Sequence, residues 1–339
     1  MNSVRSSLLR VVLPLGIAFL SATLLFALTG YDVIEVWGGV VTGSITGRGA
    51  FAQTLRWTVP LLIIGLGIIA TLRTGEFNIG AQGQLALGGI GTVIVALTWA
   101  DGPPLLVVPI ALTAGILLGA LWSALAGWLK ISFGADEVIT TLMLNFVSIL
   151  LTQWLTTGPF RNDAVRGETA STPLVNEAYR LTSGIGISAV LILFTIIVTL
   201  IVWVILERTP YGLKSRLVGS NPIAAAWQGI DIRSVQMRTY LLAGALAGLA
   251  GGLEVLGPNG RLVTGATPTI GFTAIVVAIV GSLSVPGIVV AALFFGGLQA
   301  AILYLPIVSD LPSSGIRILE GTVALLITAH LIQRRLKAN

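Results

Sequence analysis

Residues 71–91 read TLRTGEFNIGAQGQLALGGIG, a polar and glycine-rich stretch that interrupts two apolar runs. The upstream run covers residues 57–72, and the downstream run ends near residue 100. Polar or charged side chains stand between the runs at Arg73, Glu76, Asn78, Gln82 and Gln84. Such side chains and such flexible backbone are costly within a membrane unless they line a polar or wet space. The stretch therefore predicts a functional break between two membrane spans.

The composition of the chain indicates that it lies in lipid. Of its 339 residues, 55% are hydrophobic and 10% are charged, whereas a soluble domain has about 25% charged residues. The mean hydropathy is +0.96. We therefore predict an all-α, polytopic transmembrane helical bundle. The chain has no cysteine and a single histidine, His330, which excludes disulfides, thiolate metal sites and histidine clusters, and we predict no metal site.

The apolar runs predict eight to ten spans, because a helix needs about 20 apolar residues to cross the hydrocarbon of a bilayer. The second and eighth runs are short, and only two residues separate the eighth from the ninth, so one of them is re-entrant or broken. The runs lie near residues 8–29, 57–72, 80–100, 105–129, 138–157, 185–206, 237–256, 270–284, 286–305 and 315–333.

The basic residues predict the orientation, since Lys and Arg are more frequent on the cytoplasmic side of membrane proteins. Ten spans with a cytoplasmic N-terminus place most of the basic residues inside. In this arrangement residues 158–184 form an outer loop, residues 207–238 form a cytoplasmic loop, and both termini are cytoplasmic. The net charge of +5 is then explained by the lipid bilayer as partner, and no nucleic acid is expected.

The loop at 207–238 contains the signals of a short helix. Ser220 or Asn221 can cap it, Pro222 suits its first position, and Gly229 suits its end. A short helix in a basic loop between two spans has no membrane-crossing purpose. Two interpretations stay open: a helix on the membrane surface, or a docking helix for a soluble partner.

Small residues at helical spacing predict close packing of two spans. Gly244, Gly248 and Gly252 form one smooth face, and Gly115 with Gly119 forms another. Such faces let helix backbones approach closely in lipid. Weak internal symmetry also relates residues 57–100 to residues 237–284, which predicts an inverted repeat of the kind that transporters use.

Polar side chains within the predicted spans are costly and therefore mark candidate functional positions. Most of them are neutral amides and hydroxyls, which suit either hydrogen bonds between helices or contacts with a neutral polar solute. Glu254 and Glu320 are the only ionisable candidates. The set comprises Gln82, Gln84, Thr140, Thr141, Asn145, Gln153, Gln299, Glu254 and Glu320.

Catalytic motifs are missing from the sequence. It has no Gly-rich loop followed by Lys-Ser or Lys-Thr for phosphate binding, no G-x-S-x-G elbow and no H-E-x-x-H motif. We therefore predict a protein that is not an enzyme. If it transports a solute actively, the energy comes from another chain or from an ion gradient.

Four stretches carry a pattern that is recognisable in order along the chain. They are RTGEFNIGAQGQLALGG at 73–89, GADEVITTLMLNFVS at 134–148, RLVGSNPIAAAWQGI at 216–230, and GFTAIVVAIVGSLSVPGIVVAALFFGGL at 271–298. Together they resemble permeases of ABC importers in the branched-chain amino acid/ribose/nucleoside group, and most closely the longer permease subunit of nucleoside importers. The likeness runs from about residue 13 to residue 325, which makes 1–339 a single permease domain.

The resemblance implies partners and site residues. It implies a second, related permease subunit in a heterodimer, two ATP-binding subunits that carry the ATP and Mg, and an extracytoplasmic substrate-binding lipoprotein; this chain itself then holds no cofactor. The implied coupling residues, which contact the ATPase, are Gly219, Ser220, Asn221, Pro222, Ala224, Ala225 and Gly229. The implied residues of the translocation pathway are Phe77, Asn78, Gln82, Gln84 and Asn145.

One departure from the family pattern occurs at Asp136, where the group has N-E-V-I and this chain has D-E-V-I. An acid is tolerated at a helix N-terminus by the helix dipole, so we expect the change to be neutral. The resemblance implies an importer of a nucleoside or a related simple sugar in the bacterial inner membrane. The alternative is a secondary transporter of a small polar solute that is driven by an ion gradient.

Overall fold

The fold is that of a computed structural model, which describes residues 30–162, 169–182, 187–265 and 269–308, with scattered positions between 16 and 28 and Gly321. Over these residues the chain is helical, and the one extended pairing among them is an isolated bridge between Ser171 and Val263. Seven of the described helices are long and apolar enough to cross a membrane. The predicted all-α polytopic bundle is confirmed.

Eleven α-helices follow one another in the described part of the chain. A π-helical turn at Thr42–Thr46 follows the first of them, and a 3₁₀ turn at Glu177–Tyr179 precedes the sixth. The helices are α1 Val33–Val41, α2 Ala50–Arg73, α3 Ala81–Thr98, α4 Pro104–Phe133, α5 Glu137–Thr157, α6 Ala189–Arg208, α7 Pro210–Ser220, α8 Pro222–Trp227, α9 Ile232–Leu256, α10 Ile270–Val280 and α11 Val285–Val308.

Each predicted span between residues 57 and 305 coincides with one of these helices, while those at 8–29 and 315–333 lie almost wholly outside the described residues. The predicted starts of two spans were wrong. Helix α2 begins at Ala50 and α9 at Ile232, because the backbone hydrogen bonds of a helix continue through polar residues beyond its apolar run. In α9 the cap is Asp231, whose carboxylate accepts a hydrogen bond from the Ser234 N–H.

The predicted end of the eighth span at 284 was also wrong. Helix α10 stops at Val280, and Ser282 and Leu283 follow with φ of 53° and 54°. Non-glycine residues rarely adopt such left-handed backbone, and two in succession turn the chain sharply before α11 begins. The short eighth span is thus a helix of eleven residues.

The chain forms two compact units, Met1–Leu62 with Ile275–Asn339, and Ile63–Ala274. In the first unit, the described part of α11 packs on α1, the π-helical turn and the start of α2. A Cβ placed on Gly43 would lie 2.8 Å from the Cβ of Tyr304, and one on Gly296 would lie 2.4 Å from Thr58 Oγ1. These helices therefore meet at distances that only glycine permits.

The second unit is built around α3, α4 and α9, which cross one another through glycine. A Cβ on Gly248 would lie 2.4 Å from the carbonyl oxygen of Gly115, and one on Gly88 would lie 2.2 Å from that of Gly248. A Cβ on Gly244 would lie 2.3 Å from the carbonyl oxygen of Gly119. The close packing predicted from the glycine faces is confirmed.

The described residues of loop 158–184 are anchored on this unit. Tyr179 is 1% exposed, and its hydroxyl lies 2.8, 2.8 and 2.9 Å from the carbonyl oxygens of Trp99, Ala100 and Gly102. These are the carbonyls beyond the C-terminus of α3, which lack partners within their own helix. The loop therefore closes one end of the bundle.

Gly248→Ala tests the glycine crossing. The added methyl meets backbone atoms of Gly115 and Gly119, which cannot rotate away, so α4 and α9 must separate. We expect the free energy of unfolding to fall by about 1–3 kcal/mol, measured by unfolding titration in mixed micelles. Gly38→Ala is the matched control, because a Cβ there meets no atom within 4 Å. Equal stability of the two variants would contradict the packing described.

Candidate functional site

The polar stretch opens as non-helical backbone at residues 74–80, between the end of α2 and the start of α3. Gly75 turns the chain with a φ of 81°, a conformation that glycine adopts without strain. Backbone at this place has lost its helical hydrogen bonds, and polar groups buried in protein need other partners. Carbonyls at the end of α2 supply them for the N–H groups of residues 74–76, and nearby side chains supply them for Ile79 and Gly80.

Asn78 and Gln84 form a reciprocal amide pair across the start of α3. Gln84 Nε2 donates to Asn78 Oδ1 at 3.1 Å, and Asn78 Nδ2 donates to Gln84 Oε1 at 3.4 Å. Asn78 Oδ1 also accepts from the Gly80 N–H at 2.8 Å. Both side chains are buried. The pair thus holds the first turn of α3 from inside the segment itself.

Helix α5 supports the same backbone from the side. Asn145 Oδ1 accepts from the Gly83 N–H at 2.7 Å, and its Nδ2 donates to the Ile79 carbonyl at 3.0 Å. Thr141 Oγ1 accepts from the Ile79 N–H at 3.2 Å. Asn145 is 3% exposed. Its amide therefore replaces the helical partners that the break has removed.

Gln82 does not bond to the backbone of the break but to another helix. Its Oε1 accepts a hydrogen bond of 2.8 Å from the N–H of Gly271, in the first turn of α10. Gln82 also lines a cavity of about 190 Å³ between α3, α5, α9 and residues 259–265. Of the five predicted pathway residues, the structure brings Asn78, Gln84 and Asn145 together at the break, while Gln82 borders the cavity and Phe77 is 39% exposed.

A buried ionic cluster around Glu76 was missed from the sequence. Glu76 is 2% exposed. Its Oε2 forms an ion pair with Lys130 at the end of α4 and accepts from the Tyr240 hydroxyl at 3.1 Å. Its Oε1 accepts from Gln236 Nε2 at 2.6 Å, and Lys130 also pairs with Glu137 at 3.0 Å. One carboxylate in the break therefore joins α4, α5 and α9.

A second set of ion pairs lies where α2 ends and the break begins. Arg73, the last residue of α2, pairs with Glu207 at 2.6 Å, and Arg216 pairs with the same carboxylate at 2.6 Å. Glu207 lies at the end of α6 and Arg216 lies on α7. The break is therefore tied by charge to loop 207–238.

The predicted short helix of that loop is confirmed as α8. Asn221 caps it, its Oδ1 accepting from the Ala224 N–H at 3.0 Å, and Pro222 occupies the first position. Ser220 ends α7 instead, donating to the Leu217 carbonyl at 3.0 Å. Gly229 follows the helix with a φ of 74°, as expected of a helix stop.

Helix α8 has one buried side and one open side. Ala225 is 2% exposed and packs with Val218 and Val235. Ile223 and Trp227 are 71% and 88% exposed. Large apolar side chains that are exposed together on a capped, anchored helix are typical of a contact surface.

The end of α7 touches the break directly. A Cβ on Gly219 would lie 2.0 Å from the carbonyl oxygen of Arg73 and 3.0 Å from the carbonyl carbon of Thr74. Backbone contact this close transmits displacement without a side chain to absorb it. Together with the Arg73–Glu207 pair, it links α7 and α8 to the polar stretch.

Comparison with known families assigns the chain. Residues 50–327 match the model of the branched-chain amino acid transport system / permease component family, which covers both the polar break and α8. The chain belongs to this family. It is therefore a multi-pass membrane permease subunit and not an enzyme, and the resemblance seen in its four sequence stretches is confirmed.

Individual relatives carry more detailed names. The chain is 31% identical to the guanosine ABC transporter permease protein NupP of Bacillus subtilis, over 94% of this chain and 92% of the relative. It is 30% identical to a glucose ABC transporter permease protein of Haloferax volcanii, over 89% and 82%. It is 26% identical to the guanosine permease NupQ of Bacillus subtilis, over 77% and 84%.

Glu76→Gln tests the buried cluster. The amide cannot balance Lys130, so we expect the free energy of unfolding to fall by about 3 kcal/mol, toward the low end for breaking a buried ion pair, since the Lys130 side chain is 24% exposed. An unfolding titration measures the loss, and the double variant with Lys130→Met should recover part of it. Glu177→Gln is the control, because the Glu177 side chain is 90% exposed and its pair with Arg180 contributes little.

Proposed function

We propose that this permease is the membrane subunit of an ABC importer that moves a nucleoside, or a related simple sugar, inward. The observation that carries the proposal is helix α8, which exposes Ile223 and Trp227 while Gly219, in the preceding helix, contacts the polar break. A docking helix joined to a polar segment between spans is what a permease without its own energy source requires. The names of the relatives supply the solute class.

The proposed assembly contains further subunits. Two guanosine permeases of one organism, NupP and NupQ, both match this chain, which supports a second, related permease as partner in a heterodimer. Two ATP-binding subunits would hold ATP and Mg, and a lipoprotein outside the membrane would bind the solute. In this proposal the chain has no ATPase site and no cofactor of its own.

The proposed orientation places the chain in the inner membrane of a bacterium with both termini in the cytoplasm. Loop 207–238 is then cytoplasmic, where it can meet the ATP-binding subunits, and loop 158–184 lies outside. The basic residues of this loop, among them Arg208 at the end of α6 and Lys214 and Arg216 on α7, support this orientation.

The proposed mechanism passes through two contacts of the described residues. Movement of the ATP-binding subunits displaces α8 at its exposed face, with Ala225 on the buried side. The proposed coupling segment comprises Gly219, Ser220, Asn221, Pro222, Ala224, Ala225 and Gly229. Gly219 pushes on the backbone at Arg73, and the Glu207 carboxylate pulls on the Arg73 guanidinium. The break then moves with the loop, and α2 and α3 tilt at its two ends.

The five predicted pathway residues take different parts in this proposal. Asn78, Gln84 and Asn145 brace the break, since their amides are used by its backbone and by one another. In the proposal Phe77 and Gln82 meet the passing solute, which the 39% exposure of Phe77 and the position of Gln82 at the cavity support. A wall of neutral amides suits a neutral solute better than an ion.

Trp227→Ala tests the docking helix. Removing an exposed aromatic anchor should weaken contact with the ATP-binding subunits by about 2 kcal/mol or more. We expect ATP-driven guanosine uptake in proteoliposomes to fall strongly while the purified permease unfolds as before. Asn221→Ala, which removes the cap of α8, should act in the same direction with a smaller loss.

The matched control for this test is Trp154→Ala, because Trp154 is 62% exposed on α5, away from loop 207–238. Full uptake by Trp227→Ala would show that α8 is not the coupling helix. Uptake that persists without any ATPase and collapses with an ionophore would instead establish the alternative, a secondary transporter driven by an ion gradient.

Glu207→Gln tests the charged link between loop and break. The amide loses both ion pairs, each a charge-assisted hydrogen bond of the stronger kind, while keeping the side-chain volume. We expect fewer solute molecules imported per ATP hydrolysed, with ATPase activity and subunit assembly retained. Glu177→Gln serves again as the carboxylate control, and an unchanged ratio in Glu207→Gln would show that the Gly219 contact suffices.

A further inference from the structure

The cavity beside Gln82 has the composition of a binding site. Most of its lining is apolar, and the polar side chains at its wall are Gln82, Thr152, Glu254, Asn259, Arg261 and Thr264. Small-molecule sites generally combine an apolar wall with a few polar groups that orient the ligand. One water needs only about 10–15 Å³ of such space, so a cavity of about 190 Å³ has room for a solute.

Its wall is built from fixed backbone. Four backbone hydrogen bonds tie residues 256–264 to loop 158–184, and the acceptors are carbonyl oxygens. They run from Thr264 N–H to Ala170 at 2.9 Å, from Thr172 N–H to Leu262 at 3.0 Å, from Val175 N–H to Gly260 at 2.8 Å and from Leu181 N–H to Leu256 at 2.7 Å. On the opposite side, a Cβ on Gly251 would lie 2.0 Å from the Leu85 carbonyl oxygen. The cavity is therefore held open by a scaffold on both sides and is preformed.

Glu254 brings a carboxylate into this space from the last turn of the membrane-spanning helix α9. It is 5% exposed, and its Oε2 accepts from Asn259 Nδ2 at 3.2 Å. An ionisable residue at such a position is costly and marks a functional site by default. Arg261 lines the same cavity, so the formal charges of the lining sum to zero. A neutral solute therefore fits the cavity better than an ion.

We propose that this cavity is a transient binding site for a neutral, polyhydroxylated solute, in which Glu254 accepts hydrogen bonds from adjacent hydroxyls and Gln82 orients the solute. The inference rests on the proposed function, whose solute class it locates in the chain. Two carboxylate oxygens can accept from the two hydroxyls of a vicinal diol, a group that a ribonucleoside and a simple sugar share. The amides of Gln82 and Asn259 both donate and accept, as mixed hydroxyl contacts require.

Glu254 and the cluster around Glu76 lie far apart along α9. Tyr240, which contacts Glu76 beside the break, precedes Glu254 by fourteen residues, or about 21 Å of helix at 1.5 Å per residue. Gln82 connects the two regions, because it borders the cavity and stands at the start of α3. Displacement of the break thus changes the wall of the cavity.

Thiol labelling provides the test, because the chain contains no cysteine. Thr152→Cys places one thiol of this chain in the cavity wall, and Thr157→Cys places one on the same helix outside it. The complete transporter in proteoliposomes is treated with a small thiol reagent, with guanosine, glucose or leucine present. At about ten times its Kd a solute occupies roughly nine-tenths of its sites, so labelling of Thr152→Cys should slow about tenfold, and labelling of Thr157→Cys should not change.

Adding Glu254→Gln to Thr152→Cys should abolish the protection, measured as the ratio of the labelling rates with and without solute in the same variant. Adding Glu35→Gln, at an exposed position on α1, should leave protection intact. Equal labelling with and without every solute overturns the proposal, as does failure of Thr152→Cys to react when Thr157→Cys reacts. Protection by leucine alone overturns the solute class. ATP-driven uptake in the same vesicles separates the two proposals. Uptake without protection contradicts only the binding site in the cavity. Protection without uptake of guanosine or glucose contradicts only the proposed function.

Discussion

The structure depends on one constraint: backbone that leaves the helix inside a membrane protein must find hydrogen-bond partners among side chains. For Ile79, Gly80 and Gly83 the partners are the amides of Asn78 and Asn145 and the hydroxyl of Thr141. Because these side chains come from the break itself and from α5, the two segments are fixed to each other. The ionic groups at Arg73 and Glu76 then fix them to α4, α6, α7 and α9. The break between α2 and α3 is therefore the place where the helices of the unit Ile63–Ala274 are joined.

Much of this architecture could be predicted from the sequence. Apolar runs locate spans because lipid selects on length and polarity alone, and Asn221, Pro222 and Gly229 locate α8 because caps act within a few residues. Gly244, Gly248 and Gly252 predicted a helix crossing, because small residues spaced along one face of a helix are visible in the sequence itself. Helix starts such as Ala50 could not be predicted, since a helix that has left the lipid no longer shows an apolar pattern.

The parts of the site that sequence could not reveal are the long-range ones. Glu76 stands in the opening stretch, but Lys130, Gln236 and Tyr240 lie 54, 160 and 164 residues away, and nothing local pairs them. The amides at 78, 84 and 145 suggested a solute path, yet the structure uses them for backbone support. Glu254 was noticeable as a carboxylate in a span, but its cavity depends on a loop that packs from elsewhere in the chain.

The crossing of α3, α4 and α9 has a consequence for how this protein can vary. Where a Cβ on Gly88, Gly115 or Gly248 would lie within 2.8 Å of a backbone atom of a neighbouring helix, even the smallest replacement is too large. Any substitution at these positions disturbs the helix packing, so these positions cannot adjust solute preference in small steps. Thr152 and Thr264, by contrast, line the cavity beside Gln82, where a change of side chain alters the space rather than a contact between two helix backbones.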